Sequence, residues 1–416
     1  MAKDEIITGL DIGSSSIRVV SGQVKPGQDG EMTVHIIGAA ESPAEGVSKG
    51  AVVSIEDAVS SISSALEKCE RMTGVPIEHA IVSVNGAHVI AQESQGIVAV
   101  SKASGEIGED DIDRAIEAAQ SMATPPNYEI LHVIPRTFTV DDQTGIKDPV
   151  GMTGIKLEVS AQIILGMTSQ VKNITKSIYR TGVDINELVV EVLASSESVL
   201  SKREKDLGVA LVNIGGATTS LMVFEDGDVL HTKIIPVGSG HITNDIAIGL
   251  RTSVDIAEEV KKQYGTALAE EVGKRDEIDL AKINPDEKVL VSKKEVAEII
   301  AARTEEIFDM IRNELRAIDR DAKLPAGIIF TGGGAKLNGL IDMAKTHFRM
   351  SASIGYPKHI QTPIDKIEDP SFATAIGLVL WGQGLHEGAN RPGLRNLSTV
   401  TDVTGRMGKW LKSLMP

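Results

Sequence analysis

Two short stretches carry residue types that could do chemistry. Residues 6–16 read IITGLDIGSSS, and residues 209–220 read VALVNIGGATTS. Each is an apolar run that ends in Asp or Asn, Ile and Gly and then passes into small residues. A strand ending this way can bring backbone N–H groups close to a phosphate. Ser14, Ser15, Thr218 and Thr219 can add hydroxyl donors. Two such hairpins, around Gly13 and around Gly215, Gly216 and Ala217, would grip a polyphosphate from both sides. Asp11 could then hold Mg²⁺ through water. Asn213 stands where the first copy has Asp11 and has no charge to offer. A third stretch, AGIIFTGGGAKLNGL (326–340), runs from a buried strand into Gly332, Gly333 and Gly334 and then into a helix expected from about Leu337. Such a turn lets a flat ring or a ribose lie directly on the backbone. It is neither a GxGxxG dinucleotide fingerprint nor a P-loop, since GK[ST] is absent.

The elements that must position these turns follow from periodicity. Strands are expected at 6–10 and 17–24 around the first turn. Helical spacing over 54–74 (Ile55, Val59, Ile62, Leu66, Cys69) stops at Gly74 and Pro76. Residues 83–160 read as an inserted unit with one helix (111–123) and further strands (EILHVIPRTFTV and GIKLEVSAQIILG). A helix at 169–182 precedes the segment 185–201 that leads into the second turn. From 241 to about 324 the chain is mostly helical and charged, and helix 295–318 carries Val296, Ile299, Ile300, Ile307, Met310, Ile311, Leu315 and Ile318 on one face. Residues 385–402 are polar, rich in Gly, Pro and Asn, and aperiodic, as a linker is. Glu191 and Glu197, ahead of the second turn, are candidates for positioning a water, and neither is assigned as a catalytic base.

Composition narrows the class. A chain of 416 residues is too long for one ordinary core, so two or more domains are expected. Few aromatics (3%) and 40 glycines favour an α/β protein with many tight turns. The single Cys69 excludes an intrachain disulfide and a thiolate zinc site, in keeping with a reducing cytoplasm. The start, MAKDEIITGLDIG, enters a strand within five residues, so no signal peptide is expected, and no stretch has the ~18 apolar residues of a spanning helix. A formal net charge of −16 argues against a nucleic-acid binder.

The order of motifs is specific: phosphate turn, second phosphate turn, helical region, then the triple glycine. It resembles the actin-like ATPase superfamily, and within it the FtsA family of bacterial cell-division proteins. The resemblance covers essentially the whole chain and rests on LDIGSSSIRVVSGQV, EVLASSESVLSKREKDLGVALVNIGGATTSLMVFEDGDVLHTKIIPVGSGHITNDIA, AEEVKKQYG, IIFTGGGAKLNGL and a basic amphipathic C-terminus. It implies an α/β, actin-like (ribonuclease H-like) two-domain fold that binds ATP and Mg²⁺. The implied parts are subdomain 1A at 1–82, 161–204 and 370–384, subdomain 1C at 83–160, subdomain 2A at 205–240 and 325–369, subdomain 2B at 241–324, a linker at 385–402 and a membrane-targeting helix at 403–416. Glu258 and Lys261 match positions that contact the adenosine part of the nucleotide. Relatives usually carry Asp where Asn213 stands, and often Lys where Ser16 stands, although Arg18 is near in sequence. Slow hydrolysis with retained binding is therefore expected.

The tail carries a second signal. Val403, Met407, Trp410, Leu411, Leu414 and Met415 recur at helical spacing, and Arg406, Lys409 and Lys412 give +3 with no acid from 403 on. A 12-residue helix is about 18 Å long, too short for the ~30 Å hydrocarbon core, and suits the interface of an anionic membrane. Each basic residue adds about 1 kcal/mol there, while Gly408 costs up to ~1 kcal/mol of helix propensity. One tail is thus a marginal anchor, and several on a filament act by avidity. The resemblance further implies self-association into protofilaments, binding of the C-terminal tail of the tubulin-like protein FtsZ by subdomain 2B with Arg303 at that surface, other division proteins at subdomain 1C, and a cytoplasmic location on the inner face of the cell membrane at the division site. A pilus-assembly actin-like protein and a soluble phosphotransferase of the same superfamily are the alternatives. The phosphotransferase would need a catalytic Asp near the second turn, where Asn213 stands.

Overall fold

The structure is a computed structural model and describes residues 6–26 and 32–387. The expected membrane-targeting segment 403–416 and residues 388–402 of the expected linker lie outside the described residues.

Two sheets repeat one topology. The first has the spatial order Asp184–Val190, His79–Val84, Ile6–Ile12, Ser16–Pro26, Met32–Pro43 and a short edge, Ile360–Gln361. Its strands 6–12, 16–26 and 32–43 form an antiparallel meander, and 79–84 and 184–190 add in parallel on the other side. The second sheet runs Asp228–Ile235, Thr219–Glu225, Val209–Ile214, Ile328–Thr331, Ala352–Ile354. It too is a meander followed by two parallel strands. Counted within each half, both orders are 3-2-1-4-5. The repeated sequence turn is the connection between strands one and two of each half, and the triple glycine follows strand four of the second. Strand Val209–Ile214 is buried at every position, as a central strand covered on both faces must be.

Two helices cross where the halves meet. Glu191–Val199 leads from the first sheet toward the second, and Ala373–Glu387 returns to pack on strand Ile6–Ile12. The return helix is apolar nearly all round, and Ala373, Ala375, Ile376, Leu378, Val379 and Trp381 are buried. Gly377 lies so close to the other helix that a Cβ there would sit 1.9 Å from the Ala194 carbonyl oxygen. Only glycine permits that approach.

The inserted unit is an antiparallel sheet, Val89–Ala99, Lys156–Met167, Tyr128–Val140 and Gln143–Ile146, with helix Glu109–Ala123 on one face. Its limits differ from the expected 83–160. Ser83 and Val84 pair with the first half's strand 184–190, and residues 161–167 finish a strand of the insert. The mostly apolar run AQIILGM at 161–167 hides that change of sheet. The insert bonds to both halves. The Val190 N–H donates to His132 Nε2 at 3.1 Å, Thr232 Oγ1 donates to Gln162 Oε1 at 2.8 Å, and Lys147 pairs with Asp228 at 2.8 Å.

Helices Ser239–Leu250, Val254–Tyr264 and Lys293–Ala317 and the hairpin Glu277–Asp279/Leu290–Ser292 make the helical region. The first turns of Lys293–Ala317 place Val296 and Ile300 in that region's own core, and its later turns place Ile307, Phe308, Ile311 and Leu315 in the second sheet's core. The helix after the triple glycine starts at Leu340 rather than near Leu337, because a 3-10 turn at Gly333–Lys336 intervenes. No helix among the described residues is long and apolar enough to cross a membrane.

Gly377→Val is expected to lower stability by about 1–3 kcal/mol through overpacking against Ala194, read as a fall in Tm. An unchanged Tm would show that the crossing can widen freely.

Candidate functional site

The two repeated turns face each other. In the first, the Gly13 N–H donates to the Ser16 carbonyl, the Gly50 N–H donates to Ser14 Oγ at 2.9 Å, and the Ser15 carbonyl accepts from Ala44. In the second, Gly215 N–H donates to the Thr218 carbonyl. The N-terminal amides of helix Ser239–Leu250 also brace it, Ser239 onto the Gly215 carbonyl and Gly240 onto the Gly216 carbonyl. Ser15 Oγ packs directly on the Cα of Gly216. The structure thus brings Gly13, Ser14, Ser15 and Gly215, Gly216, Thr218 together, with Ala217 half-buried in the second turn.

Acidic groups sit at the cleft floor. Asp11 is buried and accepts from Ser83 Oγ at 2.8 Å. Glu191, at the start of the crossing helix, is buried and accepts from Ser220 Oγ of the second half at 2.8 Å. Burial pushes the Asp11 carboxyl above its ordinary range, with Arg18 and Ser83 pulling the other way. Burial and then the neighbouring Asp11 charge push Glu191 up to about 8, against the Ser220 hydroxyl. Arg18 lies across the hairpin from Asp11 but donates to Glu41 at 2.7 Å and lies over the Phe372 ring at 5.6 Å. Ser16 also bonds to Glu41. Neither residue replaces the lysine expected in relatives as a free cation. Glu197 is paired with Lys205 at 2.8 Å.

Asn213 is buried, and its Nδ2 donates to Ser195 Oγ at 3.1 Å and Thr374 Oγ1 at 3.3 Å, one hydroxyl from each crossing helix. Gly332, with φ of 83°, lies against Asn213 Oδ1, so a Cβ there would sit 2.1 Å from that oxygen. Gly334 is buried on Ile214, and Gly333 is exposed with open space where a Cβ would project. Glu258 and Lys261 meet: Lys261 Nζ contacts Glu258 Oε2 at 2.6 Å, and both bond to Thr243 Oγ1, at 2.7 Å for Lys261 and 2.5 Å for Glu258. Burial raises the Glu258 carboxyl, but Lys261 and Thr243 outweigh it and leave it below the ordinary value. Arg303 is on helix Lys293–Ala317 and is held by Asp245 (2.6 and 3.1 Å) and Glu306 (2.5 Å), apart from the cleft contacts.

These groups can bind a polyphosphate by backbone amides and hydroxyls. Among the described residues no cluster of three or more His, Cys, Asp or Glu could hold a metal by itself. Two buried carboxylates fit Mg²⁺, which takes one or two carboxylates and fills its other positions from phosphate and water. Sequence reasoning gave Glu191 little weight and did not name Asn85 or Ser220. The only signal for Glu191 was its place as one of two acidic residues in a helix otherwise of apolar and small residues, EVLASSESV.

Paired ribonuclease H-like halves with facing phosphate turns define the actin-like ATPase fold. Solved structures agree. The PilM–PilN type IV pilus biogenesis complex has a chain that matches with a TM-score of 0.67 at 17% identity, covering 90% of this chain and 98% of that one. MreB5 of Spiroplasma citri bound to ADP matches with 0.53 at 13%, covering 93% and 99%. In sequence, the chain is 38% identical to cell division protein FtsA of Bacillus subtilis (91% of this chain, 84% of that protein). It is 35% identical to that of Pseudomonas aeruginosa (91% and 89%) and 31% to that of Escherichia coli K12 (99% and 96%). The family models for cell division protein FtsA and for the SHS2 domain inserted in FtsA match residues 210–377 and 86–165. The chain belongs to the FtsA family of cell-division proteins.

Glu191 holds its proton in the folded state between its ordinary 4.5 and about 8. The unfolded chain does not, so folding stability declines as pH rises through that window. Without nucleotide and Mg²⁺, Glu191→Gln is expected to flatten the fall of Tm between those limits. Parallel Tm–pH curves for the two proteins would refute it.

Proposed function

We propose that this division protein binds ATP with Mg²⁺ in the cleft, polymerises on the inner face of the cytoplasmic membrane and tethers FtsZ there. The observation that carries the reading is the pair of facing phosphate turns on two sheets of one topology, in a chain of this family. The adenosine would lie between Gly332–Gly334 and the Glu258–Lys261 pair, and the phosphates between the two turns. Asp11, with Glu191 beside it, would hold Mg²⁺, which neutralises phosphate charge when bound. Asn213 donates to two hydroxyls and carries no charge, so its side chain gives the metal only a weak neutral partner. Glu191, raised by burial and by the Asp11 charge when no cation is present, accepts from Ser220 and is assigned no catalytic role. Binding with slow turnover fits the neutral Asn213.

The rest of the proposal concerns surfaces. The sheet 89–167 with its helix would be subdomain 1C, the docking place of other division proteins. The region 241–324 would be subdomain 2B and take the FtsZ tail, with Arg303 presented rigidly by Asp245. The basic amphipathic segment with Arg406, Met407, Lys409, Trp410, Leu411, Lys412, Leu414 and Met415 would bind anionic lipid. In its favour, the alignment with the Escherichia coli protein covers 99% of this chain and so extends past residue 388. A pilus-assembly role has only fold likeness behind it.

Co-sedimentation with anionic liposomes tests this. The full chain should pellet, more strongly with Mg-ATP, and a chain ending at Thr401 should not. Equal pelleting of both would make the tail structural. Steady-state ATP turnover is expected well below the ~1–10³ s⁻¹ usual for enzymes, and a rate inside that range would contradict the role given to Asn213.

A further inference from the structure

Asn85 lies between the two phosphate turns and belongs to neither. It follows strand His79–Val84 in the first half, yet its Nδ2 donates to Thr218 Oγ1 of the second half at 2.9 Å. Its own Oδ1 accepts from the Gly86 N–H at 2.6 Å, with Ser220 Oγ more distant at 3.5 Å. The short bond to a backbone amide, which can only donate, fixes which way the amide group faces. The donor end must therefore face Thr218. On its other side, the Asn85 carbonyl packs on Gly50, where a Cβ would sit 2.5 Å from that oxygen, and the Gly50 N–H is the one that holds Ser14. A continuous path of direct contacts thus runs from Ser14 through Gly50 and Asn85 to Thr218.

The chemistry at Thr218 follows. A hydroxyl has one proton to donate. Here the oxygen accepts from Asn85, and among the described residues its proton is given to no other group. Asn85 thereby turns that proton away from itself and leaves it for an acceptor in the cleft. We infer that Asn85 is a positioning residue of the nucleotide site: it holds the Thr218 hydroxyl as a phosphate donor and ties the two halves together over the bound nucleotide. This rests on the nucleotide-binding reading above. Since a nucleotide leaves when the turns separate, the Asn85–Thr218 bond must break on release, and its loss should appear mainly in the dissociation rate.

Stopped-flow dissociation of N-methylanthraniloyl-ATP with Mg²⁺ from the full-length protein tests it. Asn85→Ala should release the probe about 3- to 10-fold faster, the range for one net hydrogen bond. Asn85→Asp keeps the shape but can only accept, drawing the Thr218 proton to itself, and should release it at least as fast. In a cycle with Thr218→Val, the double variant should be no faster than Thr218→Val alone, because that change already removes the bond. Dissociation within twofold of wild type for both single Asn85 variants, or fully additive effects in the cycle, would overturn the role while leaving nucleotide binding intact. No probe binding by the wild-type protein would overturn the nucleotide reading and this role with it.

Discussion

The architecture depends on one close crossing. Helices Glu191–Val199 and Ala373–Glu387 meet at Ala194 and Gly377 with no room for a side chain, and everything else about the cleft is referred to that point. Asn213 donates its two hydrogen bonds to Ser195 and Thr374, one on each helix. Ser198 Oγ also donates to the Ala373 carbonyl across the same crossing, at 2.7 Å. The central strand of the second half is thereby fixed to the helices that join it to the first. Because packed interiors are close to crystalline in density, a shift of one helix is transmitted to the strand end and to the turn it carries.

The cleft floor is built to be electrically demanding. Two carboxylates, Asp11 and Glu191, are buried with hydroxyl partners, and the nearest guanidinium is committed to Glu41. Burial raises both carboxyls, and the Asp11 charge raises Glu191 further. Such a site gains from a divalent cation or any other charge that restores ionisation, and loses when filled by phosphate alone. A third acid at position 213 would have raised that cost further, and the neutral amide avoids it.

Much of this was legible in the chain. The two D/N-I-G turns, the triple glycine and the apolar runs before them identify the halves, because hairpin and strand-end chemistry is local. The 55–73 helix reads cleanly because Ser54 caps it and Gly74 closes it in the left-handed region. What was hidden is non-local. The insert's edge is invisible at 161–167, since an apolar strand looks alike in either sheet. The 3-10 turn at 333–336 needed the strand–helix geometry. Asn85 and Ser220 look like ordinary turn and strand residues, and only the meeting of two halves about 130 positions apart gives them a shared role. Subdomain limits and the tail's membrane contact stay with the family resemblance.

The insert is bonded to both halves rather than hanging from one. Gln162 is bound to Thr232 of one half, and His132 to Val190 of the other, the residue that immediately precedes Glu191. A hinge with a brace across it has fewer free motions than a hinge alone. Swinging the halves apart must either snap the Gln162–Thr232 contact or carry the insert along with one side. A force applied to that small sheet would therefore reach both halves through these two contacts.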